Sequence, residues 1–461
     1  MASFDAIVYG SGRLVAHLPV FWRDHSDALN TSFMYPADQR AAWLSNYLPF
    51  NALFRAVFAK VATPALTGPI MTALGGVALW GCLRRLWPED AQSVTVGCLL
   101  YIGSAQVLLN GMTSYAMPGH LALNLCWLWL YLRDTRLCDA TAVVVGFTAM
   151  GLHQPLMHPM FAAPLLFLLV LDRRWDRVVV FLVGYAAAGA FWLWWPGMIW
   201  HLAQADPAAL PPEGVDYATR LLQVIKQGDP RGLPNMVANL LRFAAWQHLL
   251  LVPLLLVGAH AARSDRLAAA LAGGIIVTVF AMAVLLPYQG HGFGYRYLHG
   301  LIGNAIILAI FGWRKLSLDQ NATGLPGFLI TATLANLAIL LPVQLWMAHA
   351  FYSASANASH RVDRIGADFV VIGAADARDA YDLVYNQPDL DNRPIRLLKE
   401  TLTVAAVKDI CGNKPTVALA DDAMLQSLTD FYRTKPAATI SSRKIEHYFT
   451  DSGCTVIRSV G

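Results

Sequence analysis

The feature that most constrains this sequence is a succession of ten apolar stretches separated by short polar connections. A stretch of about 20 apolar residues is long enough to cross the hydrocarbon core of a bilayer as a helix. The sequence therefore predicts an α-helical polytopic membrane protein. We place the predicted spans at 64–83, 93–110, 119–132, 139–152, 158–171, 178–199, 237–259, 267–287, 298–313 and 324–347.

The connections between the predicted spans alternate between arginine-rich and arginine-poor. Lys and Arg near the ends of a span resist translocation, so the arginine-rich connections are expected in the cytoplasm. An even number of spans then puts both ends of this chain outside the cytoplasm, and we expect a multi-pass protein of the cell inner membrane. The basic connections contain Arg84 and Arg85, Arg133 and Arg136, Arg173, Arg174 and Arg177, Arg263 and Arg266, and Arg314 and Lys315.

The composition agrees with this topology, since 56% of the residues are hydrophobic and only 14% are charged. Such a chain is too apolar for an ordinary soluble protein. The net charge of +4 comes largely from the basic connections. No basic stripe with interleaved aromatic residues follows the chain, so we predict no nucleic-acid partner.

Three domains are predicted: an outer-loop and interfacial segment at 1–62, a transmembrane domain at 63–350, and an extracytoplasmic, periplasmic α/β domain at 351–461. The first segment has no signal-peptide pattern, and 44–62 has the spacing of an amphipathic interfacial helix. We expect this segment to begin inside an outer loop, with a first transmembrane helix upstream of Met1. The last domain shows short buried strands at 368–372, 416–419 and 454–457, with helical spacing at 397–410 and 422–435.

Cys411 and Cys454 are the cysteines of the C-terminal domain. Outside the cytoplasm a disulfide between them is expected, and two separate buried thiols are the alternative. The other four cysteines lack the spacing of metal ligands.

Asp24 and Asp27 lie in the first outer segment, before the first predicted span. Acidic side chains there can bind a divalent metal ion or act as a general base toward an acceptor hydroxyl. A solvated loop is the alternative interpretation. No other cofactor is predicted.

His153 and His158 flank a proline between two short predicted spans. Zinc-binding histidines on a helix are usually at i and i+4, where they share one face. His153 and His158 are five residues apart and interrupted by a proline, so this spacing is poor for zinc. Polar groups at membrane depth are often functional, so we predict hydrogen bonds to a phosphate or to sugar hydroxyls. Polar caps at helix ends are the alternative. A third polar stretch, 110–120, ends at His120.

The loop 289–299 combines glycines, aromatic residues and one arginine. A nucleotide-binding fingerprint is excluded, because no βαβ unit surrounds it. Glycines permit close approach of the backbone, and a guanidinium can bind a phosphate through two parallel hydrogen bonds. An aromatic belt with one anchoring arginine is the alternative. The predicted substrate-binding residues of this loop are His291, Tyr295, Arg296, Tyr297 and His299, and Arg220 in the long loop 200–236 is predicted to join them as part of a lid.

These features together resemble bacterial members of the GT-C membrane glycosyltransferases of the cell envelope, in the layout of protein mannosyltransferases and aminoarabinose transferases. The resemblance rests on the outer-loop acids, His153-Gln-Pro with His158-Pro, the loop Gly290-His-Gly-Phe-Gly-Tyr-Arg-Tyr and the C-terminal domain with Tyr381-Asp-Leu-Val-Tyr. It implies a polyprenyl-phosphate-linked sugar as donor, a cavity facing the periplasm beside the membrane lipid, and a catalytic aspartate on the first outer loop.

Asp5, Asp24 and Asp27 are the nearby acids, and we assign the base to Asp24 or Asp27. Two other functions remain open from the sequence. A lipid or small-molecule transporter or flippase is one, although its usual inverted repeats and mid-span charges are not visible. A catalytically inactive scaffold of the GT-C type is the other.

Overall fold

A computed structural model of the chain describes residues 2–29, 34–36, 40–204, 217–227, 231–290, 292–318, 324–434 and 440–457. Helices dominate this part of the chain. The N-terminal segment contains α1 (Ala2–Gly10), β1 (Ala16–His17), α2 (Val20–Arg23), β2 (Met34–Pro36) and β3 (Ala42–Ser45). Its strands form an antiparallel sheet in the order β1-β3-β2.

The middle of the chain is a succession of mostly apolar helices. They are α3 (Phe50–Val61), α4 (Thr67–Leu86), α5 (Ala91–Ile102), α6 (Ala105–Gly111), α7 (Met117–Tyr131), α8 (Arg136–Met150), α9 (Met157–Leu171), α10 (Trp175–Ala203), α11 (Tyr217–Gln227), α12 (Gly232–Ala245), α13 (Leu251–Ala259), α14 (Arg266–Leu285), α15 (Ile302–Ser317), α16 (Leu325–Ala335) and α17 (Leu341–Asp363). The predicted amphipathic helix at 44–62 is shorter in the structure, because residues 42–45 form β3.

Within the described ranges, four helical segments are long and apolar enough to cross a membrane: Pro64–Leu86, Trp175–Ala203, Arg266–Leu285 and Leu325–Asp363. A fifth arises if α5 and α6, bent by 55° at their junction, form one broken span. Helices α7, α8 and α9 have only 15 residues each, which is short for a bilayer crossing. Ten spans therefore remains a prediction.

The centre of the helical region is α15, most of whose residues are buried among its neighbours. It lies against α13 at Gly258 and Gly312, where a Cβ added to Gly258 would be 1.8 Å from the carbonyl oxygen of Leu308. Small residues let helix backbones approach this closely in membrane proteins. On the arginine-rich side, the buried Arg177 Nε donates a 2.7 Å hydrogen bond to Asp139 and joins α10 to α8.

The C-terminal region is a four-stranded parallel sheet in the order β5-β4-β6-β7. Its elements are β4 (Phe369–Ile372), β5 (Ile395–Leu398), α18 (Val404–Cys411), β6 (Thr416–Leu419), α19 (Asp422–Tyr432), α20 (Ile440–Asp451) and β7 (Thr455–Ile457). The prediction of a helix over 397–410 is wrong at its start, because Leu397 pairs with Val371 in the sheet and Thr403 caps α18. Cys411 and Cys454 are joined by a disulfide.

The two faces of this sheet are covered by different parts of the chain. Helices α17 and α19 pack on one face. The other face packs against α18, α20 and the N-terminal segment, whose Phe4, Val8 and Trp22 share a buried cluster with Leu397 and Phe449. The first and last segments of the chain therefore lie on the same side of the helices.

Candidate functional site

A pocket opens where the starts of α7 and α9 meet the end of α14 and the turn Arg296–Leu301. Its space of about 470 Å³ includes a part that is open to solvent. All of these helix ends lie opposite the arginine-rich connections. Its wall combines polar and apolar side chains, as ligand sites commonly do. The lining residues are Met117, His120, Asn124, His153, Met157, Thr278, Arg296, Tyr297, Gly300 and Leu301.

Arg296 is the charged residue among those that line the pocket. Its Nη2 donates to the carbonyl oxygen of Gln289, and its backbone N–H donates a 3.0 Å hydrogen bond to the side chain of the same glutamine. The guanidinium lies 5.3 Å from the ring centre of Tyr115, within the range of a cation–π contact. Nε, although buried, has no hydrogen-bond partner among the described residues. The side chain is thus held in place, and the Nε donor is left for a ligand.

Two glycines of the loop 289–299 lie against the side chain of Arg296. Gly290, Gly292 and Gly294 all have positive φ angles, at 69°, 130° and 71°, a region that glycine enters without a steric penalty. A Cβ on Gly292 would lie 2.9 Å from Cδ of Arg296. Gly290 and Gly292 therefore let the backbone lie close to the arginine side chain, whereas Gly294 faces Gln106. From the sequence, these glycines are expected to allow close approach of the backbone to a substrate. His291 lies outside the described residues.

Buried amides hold this loop from the junction between α5 and α6. Gln106 Nε2 donates to the carbonyl oxygen of Tyr295 at 2.8 Å, and Asn110 Nδ2 donates to that of Phe293 at 3.3 Å. Gln247 Nε2 in turn donates to Gln106 Oε1 at 2.9 Å. These bonds satisfy polar groups that would otherwise be costly to bury, and they fix the backbone on either side of Gly294.

His158 lies behind the pocket wall and has a partner at each ring nitrogen. Nδ1 is 2.8 Å from Asn124 Oδ1, and Nε2 is 2.6 Å from the hydroxyl of Tyr185. Asn124 Nδ2 donates to the carbonyl oxygen of Gly300 at 2.9 Å, so its Oδ1 accepts from His158. This arrangement orients Asn124 at the pocket and leaves His158 no free group for a substrate.

His120 and Thr278 face the pocket without partners. Their residues are 6% and 2% exposed, yet neither nitrogen of His120 nor Oγ1 of Thr278 has a hydrogen-bond partner within the described ranges. Buried polar groups almost always have one. Thr278 is seven residues before the end of α14. At the helical rise per residue, this places it about 10 Å along the helix axis from that end. Sequence reasoning missed Thr278, because a threonine in an apolar helix carries no signal of its own.

The other predicted ligands divide into two groups. His153 and Tyr297 line the pocket, and the ring of His153 packs edge-on against Tyr47 with centroids 4.4 Å apart. Burial lowers the pKa of His153 to about 4. Tyr295 and His299 are fully buried and do not line the pocket. Arg220 belongs to α11, but its side chain is outside the described part of the chain.

Asp24 and Asp27 are not brought to the pocket. Asp24 is exposed, and Asp27, at 57% side-chain exposure, lies 3.1 Å from Arg40. The backbone carbonyl of Asp27 accepts from Thr401, because this stretch of the N-terminal segment packs along β5. The assignment of a base to either residue therefore gains no support from the geometry.

Asp5 is a buried acid in α1 of the N-terminal segment, and it is not among the residues that line the pocket. Its residue is 7% exposed. Burial raises the pKa of this carboxyl to about 6, against the opposing effect of a hydrogen bond with the Ser45 side chain. Tyr47, which packs on His153, interacts electrostatically with both Asp5 and Arg296. A buried carboxyl with a raised pKa is suited to proton transfer near neutral pH.

Among the described residues, no group of three or more His, Cys, Asp or Glu side chains is arranged to hold a metal ion. A divalent metal at Asp24 and Asp27 remains a prediction.

The fold and the pocket define a helical membrane protein with an α/β domain packed on its N-terminal segment. No protein-family model matches the chain, and no curated protein sequence matches it. Among solved structures, the chain is similar to the crystal structure of ArnT from Cupriavidus metallidurans in the apo state. The TM-score is 0.49 and the sequence identity 12%, over 100% of this chain and 87% of that one.

Proposed function

We propose that the protein is a membrane glycosyltransferase of the GT-C type, which moves a sugar from a polyprenyl-phosphate donor to an extracytoplasmic acceptor. The observation that carries the proposal is Arg296. It is the charged group of an otherwise neutral pocket, and its Nε has no partner within the described residues. A pocket among membrane helices lets the lipid tail of a donor stay in the bilayer while its phosphate meets this guanidinium.

In the proposed reaction, an oxygen of the acceptor forms a bond to the anomeric carbon while the bond from that carbon to the phosphate oxygen breaks. The proton of the acceptor hydroxyl passes to a carboxylate, for which we propose Asp5. The electron pair of the broken bond leaves with the lipid phosphate. Arg296 stabilises the charge that grows on this leaving group.

The roles of the remaining residues follow from where they lie. His120, His153, Thr278 and Tyr297 would contact the sugar, since they line the pocket. Asn124 would be held against the sugar by His158 and Gly300. His158 is thereby a positioning residue, and the base assigned to Asp24 or Asp27 moves to Asp5.

The test is transfer of a radiolabelled sugar from a synthetic polyprenyl-phosphate donor by the purified full chain in lipid nanodiscs. We expect Arg296→Ala to lose roughly 2–4 kcal/mol of transition-state stabilisation, the range for removing a hydrogen-bonded charge partner. Arg296→Lys should recover only part of the rate, because an ammonium cannot reproduce the planar guanidinium.

Arg364→Ala is the matched control, since Arg364 is exposed at the end of α17 and no contact with the pocket involves it. Full activity of the alanine variant at normal expression would remove Arg296 from the mechanism. Movement of the intact lipid across the bilayer without sugar transfer would instead identify a flippase.

A further inference from the structure

The polar wall of the pocket has a distinct chemical character. Apart from Arg296, the polar side chains that line it within the described ranges are His120, Asn124, His153, Thr278 and Tyr297, and none of these is acidic. Burial keeps the pKa of His153 near 4, so its ring is neutral at pH 7. Within the described residues, the wall therefore carries hydrogen-bonding groups and the positive charge of Arg296, but no negative charge.

Three groups on this wall are left without partners. Both nitrogens of His120, Nδ1 of His153 and Oγ1 of Thr278 are buried and unpaired within the described residues. A neutral imidazole has one donor and one acceptor nitrogen, and a hydroxyl is both donor and acceptor. The ligand that satisfies them must itself offer donors and acceptors together.

Sugar hydroxyls meet this requirement, and two other classes of head group do not. An ammonium only donates, and it would lie in the same pocket as the Arg296 guanidinium, where no carboxylate among the described lining residues offsets its charge. A carboxylate only accepts and would leave the acceptor nitrogen of His120 unpaired. The apolar side chains of Met117, Met157 and Leu301 complete the wall and suit the C–H face of a sugar ring.

Resting on the function proposed above, we infer that the sugar bound in this pocket is neutral and rich in hydroxyls, as in a hexose, and carries no amino group. His120 and Thr278 are the residues that select it.

Binding of three probes to the full chain in nanodiscs tests this inference: undecaprenyl phosphate, undecaprenyl phosphate bearing glucose, and the same lipid bearing a 4-amino-4-deoxy sugar. We expect the glucose lipid to bind about tenfold more tightly than the bare lipid phosphate, the gain expected from one or two net hydrogen bonds. The amino-sugar lipid should bind more weakly than the glucose lipid.

Thr278→Val removes the hydroxyl and keeps the shape of the side chain. We expect it to reduce the advantage of glucose about three- to tenfold without changing affinity for the bare lipid phosphate, and Thr278→Ser to retain that advantage. Thr95→Val is the control, because Thr95 is exposed on α5 and bonds within its own helix. His120→Asn, which keeps a donor and an acceptor, should keep part of the preference, whereas His120→Leu should lose it.

The outcomes separate the two proposals. If no probe binds in a manner that depends on Arg296, the proposed function fails and this inference fails with it. If the bare lipid phosphate binds through Arg296 but glucose adds nothing, the polar groups bind only water and the inference is wrong. Tightest binding of the amino-sugar lipid would overturn it equally, and in both of these cases the proposed function stands.

Discussion

The side-chain amide of Gln106 donates a 2.8 Å hydrogen bond to the main-chain carbonyl of Tyr295, across 189 positions of sequence. Gln106 is itself held by Gln247, whose Oε1 accepts a 2.7 Å hydrogen bond from Ser104. Ser104 also caps the start of α6. The place of Arg296, one residue after Tyr295, therefore depends on the break between α5 and α6.

Replacing Gln106 by leucine should weaken both stability and ligand binding. The change removes the partner of Gln247 Nε2 at Gln106 Oε1, at a cost of about 1–3 kcal/mol. It also removes one of the two hydrogen bonds to the Tyr295 carbonyl, which still accepts from the backbone N–H of Leu298 at 3.2 Å. We expect a lower midpoint of thermal denaturation in detergent and weaker binding of undecaprenyl phosphate. Gln92→Leu, at an exposed position on α5, should change neither. Unaltered lipid binding by Gln106→Leu would show that the loop holds its shape without this bond.

Gly294→Ala should distort the same loop from the other side of the contact. Gly294 has φ at 71°, and an added Cβ would lie 2.2 Å from Gln106 Oε1. The left-handed conformation alone costs a residue with a side chain roughly 1–2 kcal/mol, and the clash adds to it. Gly189→Ala is the control, because nothing lies within 4 Å of the added atom there. Circular dichroism during heating should show a lower melting temperature for Gly294→Ala and an unchanged one for Gly189→Ala.

Asp5→Asn should stabilise the protein while removing its activity. Burial raises the pKa of Asp5 to about 6 in the folded chain, against an ordinary value of 3.8. The protonated form is therefore favoured by folding, and the stability it contributes below about pH 4 is lost as the pH rises through about 6. At pH 7 the buried charge costs about 3 kcal/mol, which the neutral amide does not incur.

Melting curves of wild type and Asp5→Asn at pH 4 and pH 7 check this sign. The variant should melt higher at pH 7, and the two proteins should converge at pH 4. Transfer by the wild type should fall below about pH 6, as the base becomes protonated. Asp24→Asn and Asp27→Asn should keep normal activity. A large loss of activity in either variant would favour that residue, and not Asp5, as the base.

The disulfide between Cys411 and Cys454 should be detectable by alkylation and should contribute to stability. Denaturation without a reductant should leave four thiols to react, those of Cys82, Cys98, Cys126 and Cys138. The disulfide spans 43 positions, for which the loop-entropy model gives about 4 kcal/mol. Cys454→Ser should lower the melting temperature, whereas Cys138→Ser should not. Six reactive thiols would contradict the pairing.

Reporter fusions test the predicted orientation. A fusion after Ile457 should report an extracytoplasmic position, and one within residues 84–90 should report the cytoplasm, because Arg84 and Arg85 resist translocation. The N-terminal segment shares a buried cluster with the C-terminal sheet, so a fusion near residue 12 should agree with the first of these. Signals of the same kind at Ile457 and at 84–90 would refute the arrangement.

The sequence was most informative where local pattern decides structure. The strands at 368–372 and 416–419 were predicted from their short apolar runs, and β4 and β6 lie there. β5 was not predicted, because Ile395–Leu398 runs directly into a stretch with helical spacing and only pairing with β4 selects the extended form.

The site was less predictable, because its roles depend on contacts between distant segments. Arg296 stood out as the single cation of its loop. Asp5 did not, since its burial requires Ser45 and the covering α/β domain. His158 gave the same signal as His153, yet Asn124 and Tyr185 use both of its nitrogens. Nothing in the neighbouring sequence distinguishes a histidine that is already satisfied from one that is free.

The packing of the N-terminal segment on the C-terminal sheet also bears on how the protein is made. Phe4 and Val8, on the helix that carries Asp5, share a buried cluster with Phe449 and Cys454. A ribosome reaches those later residues only after every intervening helix has been synthesised. The helix that carries Asp5 therefore completes this packing only at the end of synthesis, and we expect a chain that stops before Phe449 to lack this part of its cover.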